Sequence, residues 1–504
     1  CLTKMIKILL IDCSRALDQG LRDIYDVHHP PAGLLALATH VNKSDMGEHT
    51  YIKIIDSTMD YTTFEELDQL IVDIAPDIVG LRCLHKYTGQ FHRASAMVKQ
   101  LPNNPLVIGG GPYPSAEPEK TLERDECLDI VVVGEGEEVF YDLIAAYYNK
   151  KPLVDVPGIY YRKNGEIKQS ETRDVIQDLD SIPIPDWTLV DFDRYKNVMG
   201  QAPVFRKMAP ILTTRGCPYA CTYCHELFQK RFRVRSAQHI VEELEVLSDL
   251  GVHDISVIDD IFNLYPERVI EIFNLIIQKN MKLRFFYPNG LRGDRMTYEA
   301  IDAMVEGGSI LFTYALESGS QRIQKLVRKE LRFKPFYDAV DYTIKKGVMV
   351  DMFLMVGFPT ETEEEALQTL DFLMQWDEIC FPYLNVLNAF PGTEIYDRMI
   401  TEGASEKEIK EAFEKGYSSR GEEIIELVKF DFLRYYFRRR DRLQKAVAIQ
   451  RKFLREDELL YKYKTYVPGD LDRFQTLDEL VEGIALDTEK PNRVWTHDSG
   501  AINS

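Results

Sequence analysis

Short, continuous apolar stretches alternate with amphipathic helical patterns over most of this 504-residue chain, and this alternation constrains its fold most. Runs that are apolar throughout are typical of parallel strands buried on both faces by helices. Residues 5–150 are therefore predicted to form a doubly wound, Rossmann-like α/β sheet that binds ligands at the carboxyl ends of its strands. The strands predicted there are residues 8–11, 52–55, 78–81, 106–108 and 130–133.

A second alternation occupies residues 206–396. About six strand–helix units predict a partial or full (β/α) barrel, in which chemistry is expected at the carboxyl ends of the strands. The predicted strands are residues 211–214, 254–258, 284–287, 309–316, 348–356 and 383–389.

Two further regions complete the predicted organisation. Residues 151–205 are expected to be a linker with a small hairpin at 158–167, which contains an Asn-Gly turn. Residues 397–504 have charged helical patterns, at 406–415, 421–440 and 443–459, and are expected to form a helical, substrate-related region.

Composition restricts the partners and the location. A net charge of −20 argues against a generic nucleic-acid-binding surface, which needs Lys and Arg to neutralise phosphates. The sequence contains no run of about 18 apolar residues, so no membrane span is predicted. Five of the eight cysteines are scattered singly, which is not a disulfide framework, so a reducing cytoplasm is the expected location.

The other three cysteines lie within eight residues, Cys217-Pro-Tyr-Ala-Cys221-Thr-Tyr-Cys224. Clustered thiolates suit an iron–sulfur cluster or zinc. A structural zinc site normally has four protein ligands, so it would need His225 to turn back or a distant fourth ligand. A three-cysteine [4Fe–4S] cluster leaves one iron open. A non-catalytic, zinc-stabilised binding protein is the alternative.

The motif Cys-x-x-x-Cys-x-aromatic-Cys, with Tyr223 before the last cysteine, resembles the signature of the radical S-adenosylmethionine (radical SAM) superfamily. Four later segments, 257–262, 316–320, 355–362 and 388–393, resemble that family's strand ends. The resemblance implies that Cys217, Cys221 and Cys224 bind a [4Fe–4S] cluster. It implies SAM contacts from Tyr223, Asp259, Asp260, Glu317, Ser318, Gly357 and Pro391.

Three segments of the N-terminal sheet resemble the cobalamin-binding domain that is fused to one branch of radical SAM enzymes. They are Pro30-Pro31-Ala-Gly33, Gly110-Gly-Pro-Tyr-Pro and Gly134-Glu-Gly-Glu. The Asp-x-His-x-x-Gly motif that supplies a cobalt ligand in other cobalamin proteins is absent, as it often is in that branch. The cobalamin contacts expected from this resemblance are Pro31, Gly33, Leu84, Gly110, Gly111, Pro112, Gly134, Glu135, Gly136 and Glu137.

The resemblance implies an enzyme that uses a [4Fe–4S] cluster, SAM and cobalamin, with an electron donor such as flavodoxin or ferredoxin as a partner. A 5′-deoxyadenosyl radical would abstract hydrogen from an unactivated carbon of a small-molecule or natural-product substrate. Methylation of that carbon from methylcobalamin is the first functional hypothesis. An oxidative cyclase or ring-rearranging enzyme of the same architecture is the second. The sequence identifies neither the substrate nor a catalytic side chain.

Overall fold

The computed structural model describes residues 5–14, 29–57, 59–196, 204–225, 227–409, 432–467 and 470–486. Two large sheets organise this part of the chain, one of seven strands and one of six, and a two-stranded ribbon is inserted between the first and second strands of the six-stranded sheet. The α/β class predicted from the sequence is confirmed.

The N-terminal sheet contains five parallel strands in the order β2-β1-β3-β4-β5. Helices cover both faces, because α1 and α6 pack on one side, whereas α2 and α3 pack on the other. This arrangement confirms the doubly wound prediction. The bounds are β1 Ile6–Asp12, α1 Ala32–Asn42, β2 Thr50–Asp56, α2 Phe64–Ile74, β3 Ile78–Arg82, α3 Thr88–Val98, β4 Leu106–Gly110, α4 Pro112–Ala116, α5 Pro118–Arg124, β5 Ile130–Val132 and α6 Glu137–Tyr148.

The predicted hairpin exists as β6, Ile159–Lys163, and β7, Glu166–Gln169. It does not stand alone in a linker, because β6 pairs antiparallel with β5 and extends the N-terminal sheet to seven strands. The sequence placed the turn correctly. The pairing partner was not visible, since a polar edge hairpin carries little information about the strand beside it.

The second sheet has six parallel strands, in the order β15-β14-β13-β12-β11-β8. Each strand of this sheet pairs with the strand of the sheet that comes next along the chain. Among the described residues, β8 does not pair with β15, so the barrel is partial. The bounds are β8 Met208–Ile211, β9 Thr214–Arg215, β10 Arg233–Val234, α7 Ala237–Asp249, β11 Asp254–Val257, α8 Pro266–Gln278, β12 Arg284–Phe286, α9 Tyr298–Glu306, β13 Ser309–Glu317, α10 Gln321–Leu326, α11 Phe333–Lys345, β14 Met349–Val356, α12 Glu363–Leu373, β15 Pro382–Val386 and α13 Glu394–Thr401.

The described C-terminal helices are α14 Leu433–Arg438, α15 Arg440–Gln450, α16 Glu456–Tyr466 and α17 Leu477–Leu486. They contact the amino ends of the barrel strands. Glu458 accepts hydrogen bonds from Phe205 and Arg206, just before β8, and Lys462 pairs with Asp351 near the start of β14.

These helices therefore lie at the end of the barrel opposite the cysteine loop. A substrate-related role for residues 397–504 gains no support from these contacts. Much of the predicted helical pattern at 406–440 falls on residues 410–431, which lie outside the described residues.

Within the described ranges, no helix is both long and apolar enough to cross a membrane.

The Lys462–Asp351 pair gives a test of this C-terminal packing. Both side chains are at most 1% exposed, and Nζ lies 3.3 Å from Oδ2. Lys462→Met should lower the free energy of unfolding by about 3–5 kcal/mol, because Asp351 is left buried without its partner. The double variant Asp351→Leu/Lys462→Met should recover most of the loss, as measured by urea-induced unfolding.

Lys279→Met is the matched control, since Lys279 pairs with Glu245 on an exposed surface. Its expected cost is below about 1 kcal/mol. Equal destabilisation by the two lysine variants would contradict the assignment of Lys462 to a buried ion pair.

Candidate active site

The cysteine loop, residues 216–225, begins directly after the short strand β9, just beyond the carboxyl end of β8, and forms the first part of the connection to β10. Cys217 and Cys221 are half-buried, and Cys224 is exposed. A hydrogen bond from Cys224 lowers the pKa of the Cys221 thiol against the effect of burial, and the cationic side chain of Lys329 adds to the lowering. The environment at Cys221 therefore favours a thiolate, the form that binds iron.

Backbone contacts fix the two ends of this loop. Gly216 has φ of +79°, and a Cβ there would lie 2.4 Å from the carbonyl oxygen of Arg231, so this turn requires glycine. Thr222 donates its N–H to Val327 at 3.1 Å and accepts from Ile395 at 3.0 Å. The cysteines are thus presented by a loop that is attached to the barrel on both sides.

In the described part of the chain, no three His, Cys, Asp or Glu side chains converge closely enough to bind one metal ion. All ligands of a structural zinc site bind the same ion, whereas the cysteines of a [4Fe–4S] cluster each bind a different iron.

Two predicted SAM contacts, Tyr223 and Glu317, lie beside the cysteines. Glu317 ends β13 with φ of +65°, and its Oε1 accepts a hydrogen bond from Lys329 at 3.0 Å. Burial raises the pKa of the Tyr223 phenol, and the nearby Glu317 carboxylate raises it further. A non-glycine residue at positive φ is strained, and such strain concentrates at functional sites.

The acidic pair after β11 is divided between two environments. Asp259 is buried and accepts hydrogen bonds from the backbone N–H groups of Thr213 and Thr214, at 2.5 and 3.1 Å. Burial raises its pKa to about 6. Asp260 instead lines a cavity, 3.9 Å from Nε2 of His225. Asp259 therefore joins the ends of two barrel strands, whereas Asp260 is open to a ligand.

Three other expected SAM residues lie in the segments that follow β13, β14 and β15. Ser318 is fully buried and accepts a hydrogen bond from the turn that follows it. Gly357 donates its N–H to Glu361 at 2.6 Å, which holds the loop after β14. Pro391 follows Phe390, whose ring centroid lies 5.6 Å from that of His85, so this loop meets the N-terminal domain.

A cavity separates the carboxyl edge of the N-terminal sheet from the barrel. Pro31 and Leu84 do not line it, because Pro31 is buried at the start of α1 and Leu84 packs into the core beneath α3. The other residues expected to contact cobalamin do line it: Gly33, Gly110, Gly111, Pro112, Gly134, Glu135, Gly136 and Glu137.

The glycines that line this cavity leave room for a large ligand to approach the backbone. A Cβ added to Gly33 or Gly110 would meet no atom within 4 Å, so both positions border open space. The opposite wall belongs to the barrel and includes Leu212, His225 and Asp260. Because strands of both sheets end at this cavity, a ligand on the glycine edge would face the cysteine loop.

The sequence analysis missed Arg215 and Arg233, which meet the two acidic residues of the Gly-Glu-Gly-Glu segment. Arg215 bonds to Glu135 at 2.9 Å and to Glu137 at 2.5 Å, and Arg233 bonds to Glu135 at 2.8 Å. These four side chains, named here the interdomain ion cluster, are at most 10% exposed. The carboxylates of Glu135 and Glu137 are therefore occupied by protein cations.

A signal for this cluster was present in the sequence. Arg215 stands two residues before Cys217, and a buried charge needs a partner. The identity of that partner was hidden, because about 80 residues separate the two loops along the chain.

Two protein-family models match the chain. The model of the radical SAM superfamily matches residues 211–373, and that of the B12-binding domain matches residues 23–144.

An uncharacterized methyltransferase of Pyrococcus horikoshii is 31% identical over 400 residues, which cover 79% of this chain and 84% of that protein. An anaerobic magnesium-protoporphyrin IX monomethyl ester cyclase of Rubrivivax gelatinosus is 23% identical, over 69% of this chain and 62% of that protein.

Among solved structures, the radical SAM methyltransferase TsrM from Kitasatospora setae, with cobalamin and a [4Fe–4S] cluster bound, has the same fold. Its TM-score is 0.63 at 17% identity, covering 79% of this chain and 75% of that one. The glycine-lined strand ends and the residues around the cysteine loop lie on opposite sides of one cavity. This chain belongs to the radical SAM enzymes that carry a B12-binding domain, a family whose cofactors are a [4Fe–4S] cluster, SAM and cobalamin.

Proposed function

We propose that this enzyme is a cobalamin-dependent methyltransferase that methylates an unactivated carbon of a small molecule or natural product. The observation that supports this proposal is a cavity shared by the two domains. The glycine-lined strand ends of one domain form one side of it, and His225, next to Cys224, belongs to the other side. This arrangement supports cofactors that face each other with the substrate between them. The similarity to a methyltransferase over most of the chain supports the same reaction.

When bound, the cluster and SAM supply a 5′-deoxyadenosyl radical and cobalamin supplies the methyl group. The residues of the protein would then hold and orient these cofactors. Cys217, Cys221 and Cys224 would bind three irons through their thiolates. Lys329 would pair with the carboxylate group of SAM, since its ammonium already lies beside Cys221 and Cys224.

The remaining residues of the site would position SAM and exclude water. Glu317 and Asp260 present acceptors at the carboxyl ends of β13 and β11, where the amino and hydroxyl groups of SAM can donate. Leu212 and Ile258 give the barrel wall of the cavity an apolar surface. An apolar wall protects a reactive radical from side reactions.

Other expectations remain predictions from the sequence. They are an electron donor of the flavodoxin or ferredoxin type, the absence of nucleic acid as a partner, and a cytoplasmic location.

The cysteine assignment can be tested with Cys221→Ala. Loss of one ligand should abolish 5′-deoxyadenosine formation from SAM after anaerobic reconstitution, and should lower the iron content. Cys127→Ala, a half-buried cysteine of the N-terminal domain, is the control and should cleave SAM at the wild-type rate. Undiminished 5′-deoxyadenosine formation by Cys221→Ala, or stoichiometric zinc without iron in the wild type, would remove the assignment.

The cobalamin cavity can be tested with Gly33→Leu. The new side chain would enter the cavity, and such overpacking costs about 1–3 kcal/mol, which corresponds to about five- to 150-fold in Kd. Absorbance titration with hydroxocobalamin measures this change. Gly89→Leu is the matched control, because Gly89 is also the second residue of a helix and also borders open space, away from the cavity. Equal affinities for the two variants would contradict the proposed site.

Methyl transfer can be separated from cyclisation without knowing the substrate. The protein is incubated under reducing conditions with hydroxocobalamin and SAM labelled in its methyl group. A methyltransferase should leave label in the recovered cobalamin, together with S-adenosylhomocysteine. Label found wholly in SAM and methionine would argue for the cyclase or ring-rearranging alternative.

A further inference from the structure

The interdomain ion cluster joins the segment that borders the cobalamin cavity to the segment that enters the cysteine loop. On one side, Glu135 and Glu137 flank Gly136 at the start of α6. On the other, Arg215 is followed directly by Gly216 and Cys217. Arg215 binds both acids through its two terminal nitrogens, so one planar guanidinium spans the domain boundary.

The ribbon that leads into the cysteine loop depends on these acids. Arg215 in β9 stands opposite Arg233 in β10. Like charges directly opposite each other on neighbouring strands repel, and here both are buried. Glu135 accepts hydrogen bonds from both arginines, at 2.9 and 2.8 Å, so the anion that stabilises the ribbon comes from the other domain.

The same contacts order the acidic segment. Glu135 also accepts the backbone N–H of Ile176 at 2.7 Å. Burial raises the pKa of Glu137, but the charge of Arg215 outweighs burial and holds it below the ordinary value. Both carboxylates are therefore bound by arginine and are not free acceptors for a ligand in the cavity.

We propose that Arg215 is a positioning residue that, through Glu135 and Glu137, sets the separation between the cobalamin-binding edge and the cysteine loop. This inference rests on the proposed function, because it assigns a role in holding the two cofactors at a working distance. It predicts that a change on one side of the boundary alters the loop on the other side.

Glu137→Gln tests the inference, since it removes the charge and keeps the size. In cofactor-free protein, hydrogen–deuterium exchange of residues 216–225 should become faster by about tenfold. In reconstituted protein, the distance between cob(II)alamin and the reduced cluster, measured by dipolar electron paramagnetic resonance, should show a broader distribution than in the wild type. Arg215→Lys should give an intermediate effect, because lysine keeps the charge but cannot bind both acids in a planar fork.

Glu138→Gln is the matched control. Glu138 follows Glu137 on the same helical turn, but it pairs with Arg173 of the N-terminal part of the chain. It should leave exchange in residues 216–225 and the distance distribution unchanged.

Wild-type exchange and distances in Glu137→Gln would overturn the positioning role. Equal effects of Glu137→Gln and Glu138→Gln would also overturn it, since they would indicate general loosening of α6. Failure of the wild type to bind cobalamin or a cluster would instead contradict the proposed function, while exchange in the cofactor-free protein would still decide whether the two loops are coupled.

Discussion

The interdomain ion cluster, in which four charged side chains are buried against one another, determines how the two halves of this enzyme meet. Arg215, Arg233, Glu135 and Glu137 are almost fully buried where the N-terminal sheet approaches the barrel. Ion pairs of this kind contribute little net stability compared with apolar packing, but a missing partner costs about 3–5 kcal/mol. The cluster therefore favours one docking geometry and penalises others.

That geometry brings two sets of strand ends to one cavity. In both sheets the strands are parallel, so loops that can carry function gather at a single edge. The ion cluster turns these edges towards each other, with glycines on one wall and the residues around the cysteine loop on the other. The opposite end of the barrel is closed by apolar packing and by the buried Lys462–Asp351 pair. Binding and structural support are thus separated along the barrel axis.

Local patterns were sufficient for much of the fold and for the identity of the metal-binding loop. Continuous apolar runs predicted the parallel strands, since burial on both faces leaves no room for polar alternation. The spacing of Cys217, Cys221 and Cys224 indicated three thiolates on one loop. The cysteine motif led to Tyr223 and the resemblance at the strand ends led to Glu317, which the structure places beside Tyr223 and the cysteines.

Residues whose role depends on a distant partner were harder to interpret. Asp259 is predicted to contact SAM, and its carboxylate also accepts hydrogen bonds at the end of β8. Glu135 and Glu137 line the cavity predicted for cobalamin, and their carboxylates also bind arginines of the barrel domain. An acidic residue at a strand end looks the same in a sequence whether its partner is a ligand or another loop. Only the packing of elements decides which partner is within hydrogen-bonding distance.

By itself, therefore, the sequence determined the two α/β halves, the cysteine loop and the glycine edge, because each depends on residues close together along the chain. The tertiary structure decided that the hairpin joins the first sheet, that the described C-terminal helices lie at the far end of the barrel, and that an ion cluster fixes the cavity. These features arise from contacts between residues far apart in sequence. Charge neutralisation and close packing select such contacts only when the chain is folded.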